Sequence, residues 1–282
     1  MPNIQRSTAD KTGSVIRYAV LVVGAIFFLL PFYLLVRNGL STESDITSPS
    51  WKLFPSSLRW SNISELFNDP AVPMLRSLVN SLVIAVVQTA GVLVISALAG
   101  YGLARIPFKY ANAVFYFIVA TLLIPTAVTF VPSFVLVSSL GWVSTLRGLI
   151  VPGLFQAFAT FLFRQYFLNF PRELEEAAQL DGAGYWGTFW RVVVPNSKGF
   201  VAAIGTITFI GSWNAFLWPL VIAQDQNSWT VQIALSTFLT AQTVNLPQLF
   251  IAASIAILPL VVMFVFLQRW IVEGVERSGI SE

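Results

Sequence analysis

Four carboxylates fall within nine residues of this chain: Glu173, Glu175, Glu176 and Asp181, in a stretch from Arg164 to Gly199 unlike its surroundings. Clustered acids can trade protons, hold a metal or meet a basic surface. The 282 residues hold no histidine and no cysteine. That removes the commonest general base, thiolate nucleophiles, zinc–thiolate sites and iron–sulfur clusters. Carboxylate chemistry survives, so an enzyme is disfavoured rather than excluded. Gly182, Gly184 and Gly187 match G-x-G-x-x-G, but a dinucleotide site needs a preceding strand inside a βαβ unit. No G-x-x-x-x-G-K-[ST] occurs, so the chain carries no P-loop for ATP.

The acidic stretch reads as a short helix. Pro171 suits its first position, Glu173 complements the dipole in the first turn, and Gly182 suits its stop. At helical spacing Glu173, Glu176, Ala177, Leu180 and Asp181 share one face, with Glu175 and Gln179 beside it. Ala177, Ala178, Gly182, Ala183 and Gly184 leave this end almost without side-chain bulk. A helix that narrow can enter a groove on another protein; the blander reading is a solvated acidic loop. A second short apolar element, Tyr185 to Val194, then leads to Pro195.

The elements around this stretch are apolar. Hydrophobic residues make up 56% of the chain and charged ones 10%, against roughly 25% charged in a soluble domain. A globule that poor in charge could not cover its own surface, so lipid is the expected solvent. Uncharged runs of about 20 residues, enough for a bilayer core, recur. They give spans at Tyr18–Val36, between Arg76 and Arg105, from about Tyr110 to Val131, one ending before Arg164, Gly199–Ala223, and about Leu246–Gln268. The uncharged stretch between Lys109 and Arg147 exceeds one span and is expected to turn in its second half, at Pro132, Ser133, Ser138, Ser139 and Gly141.

Six spans put both termini on one side. On that side lie 11 of the 16 Lys and Arg residues, so it reads as cytoplasmic. The division is then 1–17 as an N-terminal tail, 18–268 as a six-helix domain with the loop 164–198, and 269–282 as a C-terminal tail. The net charge of +3 records topology, not a nucleic-acid partner. Pro31, Pro125, Pro152, Pro219 and Pro259 fall inside spans, as helices that bend would have them. Ala252 and Ala256 allow close helix contact. In the segment 37–75, Asn62 stands three residues before Glu65 as a helix cap. Residues 224–245 read as a polar, nearly uncharged loop.

Within the spans the polar candidates for contact with a solute are few. Gln88 and Gln156 fall near midspan, Asn80 and Asn214 toward the outer face, and Trp213 and Trp218 could stack on a sugar ring. Each could equally serve helix packing or interface anchoring.

The sequence Glu176-Ala177-Ala178, then Asp181-Gly182-Ala183, Phe189 and Pro195, resembles the EAA loop of ABC-importer permease subunits. Asn80-Ser81, Ser212-Trp213-Asn214, Phe216 to Pro219 and the tail from Gln268 to Ile280 are similar to the carbohydrate-uptake branch. Gly199 stands where many relatives carry a second proline, and Ser281-Glu282 where Lys-Gly is frequent. The resemblance implies an all-α polytopic membrane protein of the type I importer permease fold, in a bacterial inner membrane. It implies that the EAA helix seats in a cytoplasmic ATPase, with Glu176 paired to a base there. Ala177, Ala178 and Gly182 would permit close approach and Asp181 would hold the turn. The implied partners are a second permease, two ATPase copies binding ATP and Mg, and an extracytoplasmic solute-binding protein; this chain itself would hold no cofactor. A secondary transporter should keep an ionisable coupling residue in its spans or two related halves with broken helices. Neither is evident. A membrane scaffold is the remaining alternative.

Overall fold

The computed structural model describes residues 8–50, 52–240 and 245–278; Arg6, residues 241–244 and Ser281–Glu282 lie outside them. Among the described residues every regular element is helical. Three helices, Ile16–Gly39, Met74–Arg105 and Leu246–Arg269, are long and apolar enough to cross a membrane. Three bent pairs bring the count to six if each is one span: Ala111–Thr121 with Thr126–Ser139, Leu146–Gly153 with Ala157–Leu168, and Tyr185–Asn196 with Lys198–Trp213. The chain divides into two compact units, residues 1–69 with 238–256, and 70–237 with 257–282.

In the first unit the helix Thr8–Gly39 passes through Pro31 without stopping. Large apolar side chains from Ile16 to Phe32 are exposed, as a lipid-facing helix requires. A Cβ on Gly39 would stand 2.8 Å from the Ile251 backbone, so only glycine allows that approach. Ala252 is fully buried and Ala256 nearly so, in keeping with their small size. Asn62 does not cap its helix. The helix Ser61–Phe67 begins after Trp60. The buried Asn62 amide instead donates to the Gly39 and Ser41 carbonyls at 2.9 and 3.1 Å. Those carbonyls end the first span, and satisfying two of them outweighs one local cap.

The second unit is built on the 32-residue helix Met74–Arg105. Val92, Ala97 and Tyr101 of this helix share a core with Phe163, Phe167, Phe189 and Val193. Gly100 lets the fourth span close on it, since a Cβ there would lie 2.7 Å from the Phe163 Cβ and 2.8 Å from the Arg164 nitrogen.

Three span boundaries differ from the sequence expectation. The third span breaks earlier, at Leu122–Pro125, with 95° between its halves. Pro125 donates no hydrogen bond and pushes Ile124 out of the helical region, so the first half cannot run on. Pro132 stays inside the second half, and the turn comes at Gly141, whose φ of +67° closes it. The fourth span runs through Arg164 to Leu168. The Arg164 guanidinium is accommodated 3.9 Å from the Phe115 ring centre and bonds Asn112 Oδ1 at 3.0 Å. The fifth helix stops at Trp213 and a short helix Leu217–Ile222 follows. Pro219 lies in the first turn of that restart, where its missing N–H costs nothing. Of the five span prolines, only Pro31 and Pro259 lie inside long helices. The polar loop 224–245 holds a ten-residue helix, Val231–Thr240. The buried spacing of Val231 and Ala234 is the signal that sequence reading passed over.

Candidate functional site

The acidic helix runs from Arg172 to Leu180 with Pro171 at its cap, one residue later than expected. It ends in a Schellman turn. Gly182 N–H donates to the Gln179 carbonyl and Ala183 N–H to the Ala178 carbonyl, both at 2.9 Å. Gly182 takes φ +83°, a conformation few other residues adopt. Asp181, Gly182 and Ala183 are thus the cap and the two residues after it.

One side of this helix is locked inward. Glu175, 6% exposed, accepts a 2.8 Å ion pair from Arg105 Nε. Tyr101 Oη donates to its other oxygen at 3.4 Å, and Arg105 Nη2 also donates to the Phe170 carbonyl. A buried carboxylate is tolerable only when paired and hydrogen-bonded in this way. Arg105 and Tyr101 end the second span, so the lock ties the acidic helix directly to it. Sequence reading had set Glu175 beside the free face and gave it no partner. The opposite side is open: Glu176, Ala177 and Asp181 are exposed, and Leu180 is 89% exposed. Ala178 and Ala183 are half-buried. Phe189 is buried, against Tyr101 at 5.0 Å, and Pro195 is exposed in the turn before the 79° bend into Lys198–Trp213.

A second feature is a cavity of about 280 Å³. Gln88 and Trp218 both line it. Trp218 Nε1 donates to the Gly148 carbonyl at 3.0 Å, and its ring meets Phe130 edge-on at 5.8 Å. Gln88 lies against Gly153, where a Cβ would fall 1.8 Å from its amide nitrogen. The other expected solute contacts lie elsewhere. Asn80 donates to the Asn227 and Trp229 carbonyls, both at 2.9 Å, and so pins that loop. Trp213 is buried, stacked 6.0 Å from Phe209. Asn214 stands at the C-cap of its helix and accepts from Gln232 at 3.1 Å, and Gln156 stands at the N-cap position of Ala157–Leu168 without a side-chain capping bond. Of the hydroxyl residues of the cavity, among them Ser81, Thr126, Thr129, Ser133 and Ser212, none is a solute contact in the sequence reading. Their signal is proximity to the span breaks, which became visible only once the breaks were placed.

Broken apolar spans around a largely apolar cavity that carries several hydroxyls, with a capped acidic helix tied to the longest span, define a polytopic membrane transport subunit. The chain belongs to the family of binding-protein-dependent transport system inner membrane components, which matches residues 91–277. It is 32% identical over 267 residues to the sn-glycerol-3-phosphate transport system permease protein UgpE of Yersinia pestis, covering 93% of this chain and 95% of that one. It is 31% identical over 259 residues to the arabinooligosaccharides transport system permease protein AraQ of Bacillus subtilis, covering 91% and 92%. In fold it matches a chain of a bacterial ABC transporter involved in import of the acidic polysaccharide alginate. That match has a TM-score of 0.78 at 21% identity, over 95% of this chain and 99% of that one.

Proposed function

We propose that this chain forms half of the translocation pathway of an ATP-driven, binding-protein-dependent importer for a sugar or sugar-like solute. Family membership and the names of the relatives support the transport class. The coupling role rests on one observation. The helix Arg172–Leu180 is locked on one side by Glu175 and presents Glu176, Ala177 and Leu180 on the other.

A cytoplasmic ATPase receives that free face. Glu176 pairs with a base there, and the small residues Ala177 and Gly182 let the two backbones close up. When two ATPase copies bind ATP and Mg and come together, the helix is carried with them. The Arg105–Glu175 lock passes this motion to the second span. Gln88 lies 17 residues further along that helix, about 26 Å at a helical rise of ~1.5 Å per residue, so displacement at Arg105 reaches the cavity wall. A second permease supplies the other half of the pathway and an extracytoplasmic binding protein delivers solute. The chain lies in the bacterial inner membrane with both termini in the cytoplasm.

Two variants test this in vesicles holding the assembled importer. Glu176→Lys and Gly182→Trp are expected to insert normally yet abolish ATP-driven uptake. Uptake at the wild-type rate by both would contradict the assignment.

A further inference from the structure

The cavity is formed where three spans break. Thr126 and Thr129 follow the break at Leu122–Pro125, Gly153 precedes the break at 154–156, and Ser212 precedes the break after Trp213. Broken helices leave backbone donors and acceptors without helical partners, and transport proteins use such places to hold solutes. The side chains add hydroxyls and one amide. The hydroxyl oxygens of Ser212 and Thr230 are buried and have no hydrogen-bond partner, and Thr230 as a whole is only 4% exposed. Buried polar atoms normally find a partner, so these two hydroxyls on the cavity wall are free to bond a polar guest.

The chemistry of that guest follows from what lines the cavity. Hydroxyls and the Gln88 amide both donate and accept, as each hydroxyl of a sugar does. Trp218 is fixed by its bond to Gly148 and offers an apolar ring edge-on to Phe130, suited to the C–H face of a pyranose or furanose. No charged side chain lines the cavity among the described residues. A phosphate or carboxylate entering it would lose water and gain no cation. The volume, about 280 Å³, falls just below the roughly 300–1,000 Å³ range of drug-sized small-molecule sites, which suits one ring at a time.

Building on the importer reading above, we infer that this cavity is a binding site for a single uncharged sugar ring, selective against phosphorylated or acidic solutes. The chain would then differ in solute charge from a relative named for sn-glycerol 3-phosphate.

The native chain has no cysteine, which makes a direct test possible in the assembled importer. Thr129→Cys and Ser133→Cys are labelled with a water-soluble methanethiosulfonate. Leu58→Cys, 57% exposed in the loop after the first span and off the cavity wall, is the control. A neutral arabino-oligosaccharide should slow labelling severalfold at both cavity positions and not at the control. The same concentration of sn-glycerol 3-phosphate should leave all three rates unchanged. Protection by the phosphate equal to or better than by the sugar would overturn the inference, as would no protection by either. ATP-driven uptake measured on the same preparation separates the two claims. Uptake present with protection failing sinks the site alone, and uptake absent sinks the importer reading whatever the labelling shows.

Discussion

Arg105 Nε lies 2.8 Å from Glu175 Oε1, with both side chains under 10% exposed, and this pair joins the acidic helix to the longest span. Removing one partner of a buried pair strands the other charge, at about 3–5 kcal/mol. Glu175→Gln and Arg105→Met should therefore each lower the thermal unfolding temperature. The double variant Glu175→Gln/Arg105→Met should recover much of the stability, because no charge is then stranded. If it is no more stable than the singles, the pair is not the source of the loss. Uptake per ATP hydrolysed should stay low in the double variant, because the polar link is gone.

Within this chain Gly182 is a conformational requirement, not a steric one. A Cβ there would meet nothing within 4 Å, yet its φ is +83°. Gly182→Ala should cost about 1–2 kcal/mol through the left-handed conformation alone. Gly182→Asn should cost less, because asparagine tolerates that region. Hydrogen exchange at Ala183 and Gly182, whose amides close the turn, reads the difference. Equal exchange in both variants would rule out this explanation.

Gly100 and Gly102 lie on the same helix and should respond oppositely. A Cβ on Gly100 would press on the Phe163 Cβ and the Arg164 backbone, whereas one on Gly102 would meet nothing within 4 Å. Gly100→Ala should destabilise by about 1–3 kcal/mol through overpacking. Gly102→Ala should stabilise by up to about 1 kcal/mol through helix propensity. Thermal denaturation of the two purified variants decides it, and a matching shift in both would refute the close approach.

The loop after the first span carries a pH-sensitive tie. The Ser56 hydroxyl donates to Asp45 Oδ2 at 2.7 Å and Thr42 at 3.0 Å, and the Ser56 hydrogen bond chiefly holds this carboxyl below its ordinary value of 3.8. A lowered folded value means the tie is complete above pH 3.8 and is lost as pH falls through the folded value. Hydrogen exchange around Asp45 and Ser56 should rise only in that acid range. Asp45→Asn should exchange fast at every pH; protection persisting in that variant would count against the carboxylate.

The acidic helix was legible in sequence because its signals are local: Pro171 to start it, Gly182 to stop it, and 3.6-residue spacing to sort its faces. The lock was not, because Arg105 lies 70 residues from Glu175 and nothing in the spacing links them. The bends followed the same rule. Proline marks a possible break, but Pro125 ends a helix while Pro132 and Pro259 sit inside one. Neighbours decide which freed carbonyls are re-satisfied, and neighbours are not written in a local pattern. Asn62 and Asn80 were read as a cap and a solute contact, yet both tie backbone carbonyls of distant segments. Polar side chains in an apolar chain go first to orphaned carbonyls, and such pairings become visible only in three dimensions.

The two-faced helix is the centre of the account, and site-specific photocrosslinking in cells tests it most directly. A crosslinking residue at Leu180 or Ala177 should yield an adduct between this chain and an ABC ATPase, identified by mass spectrometry, while one at Glu175 should yield none. No ATPase adduct from Leu180 and Ala177, or one from Glu175 as strong as theirs, would contradict the coupling face.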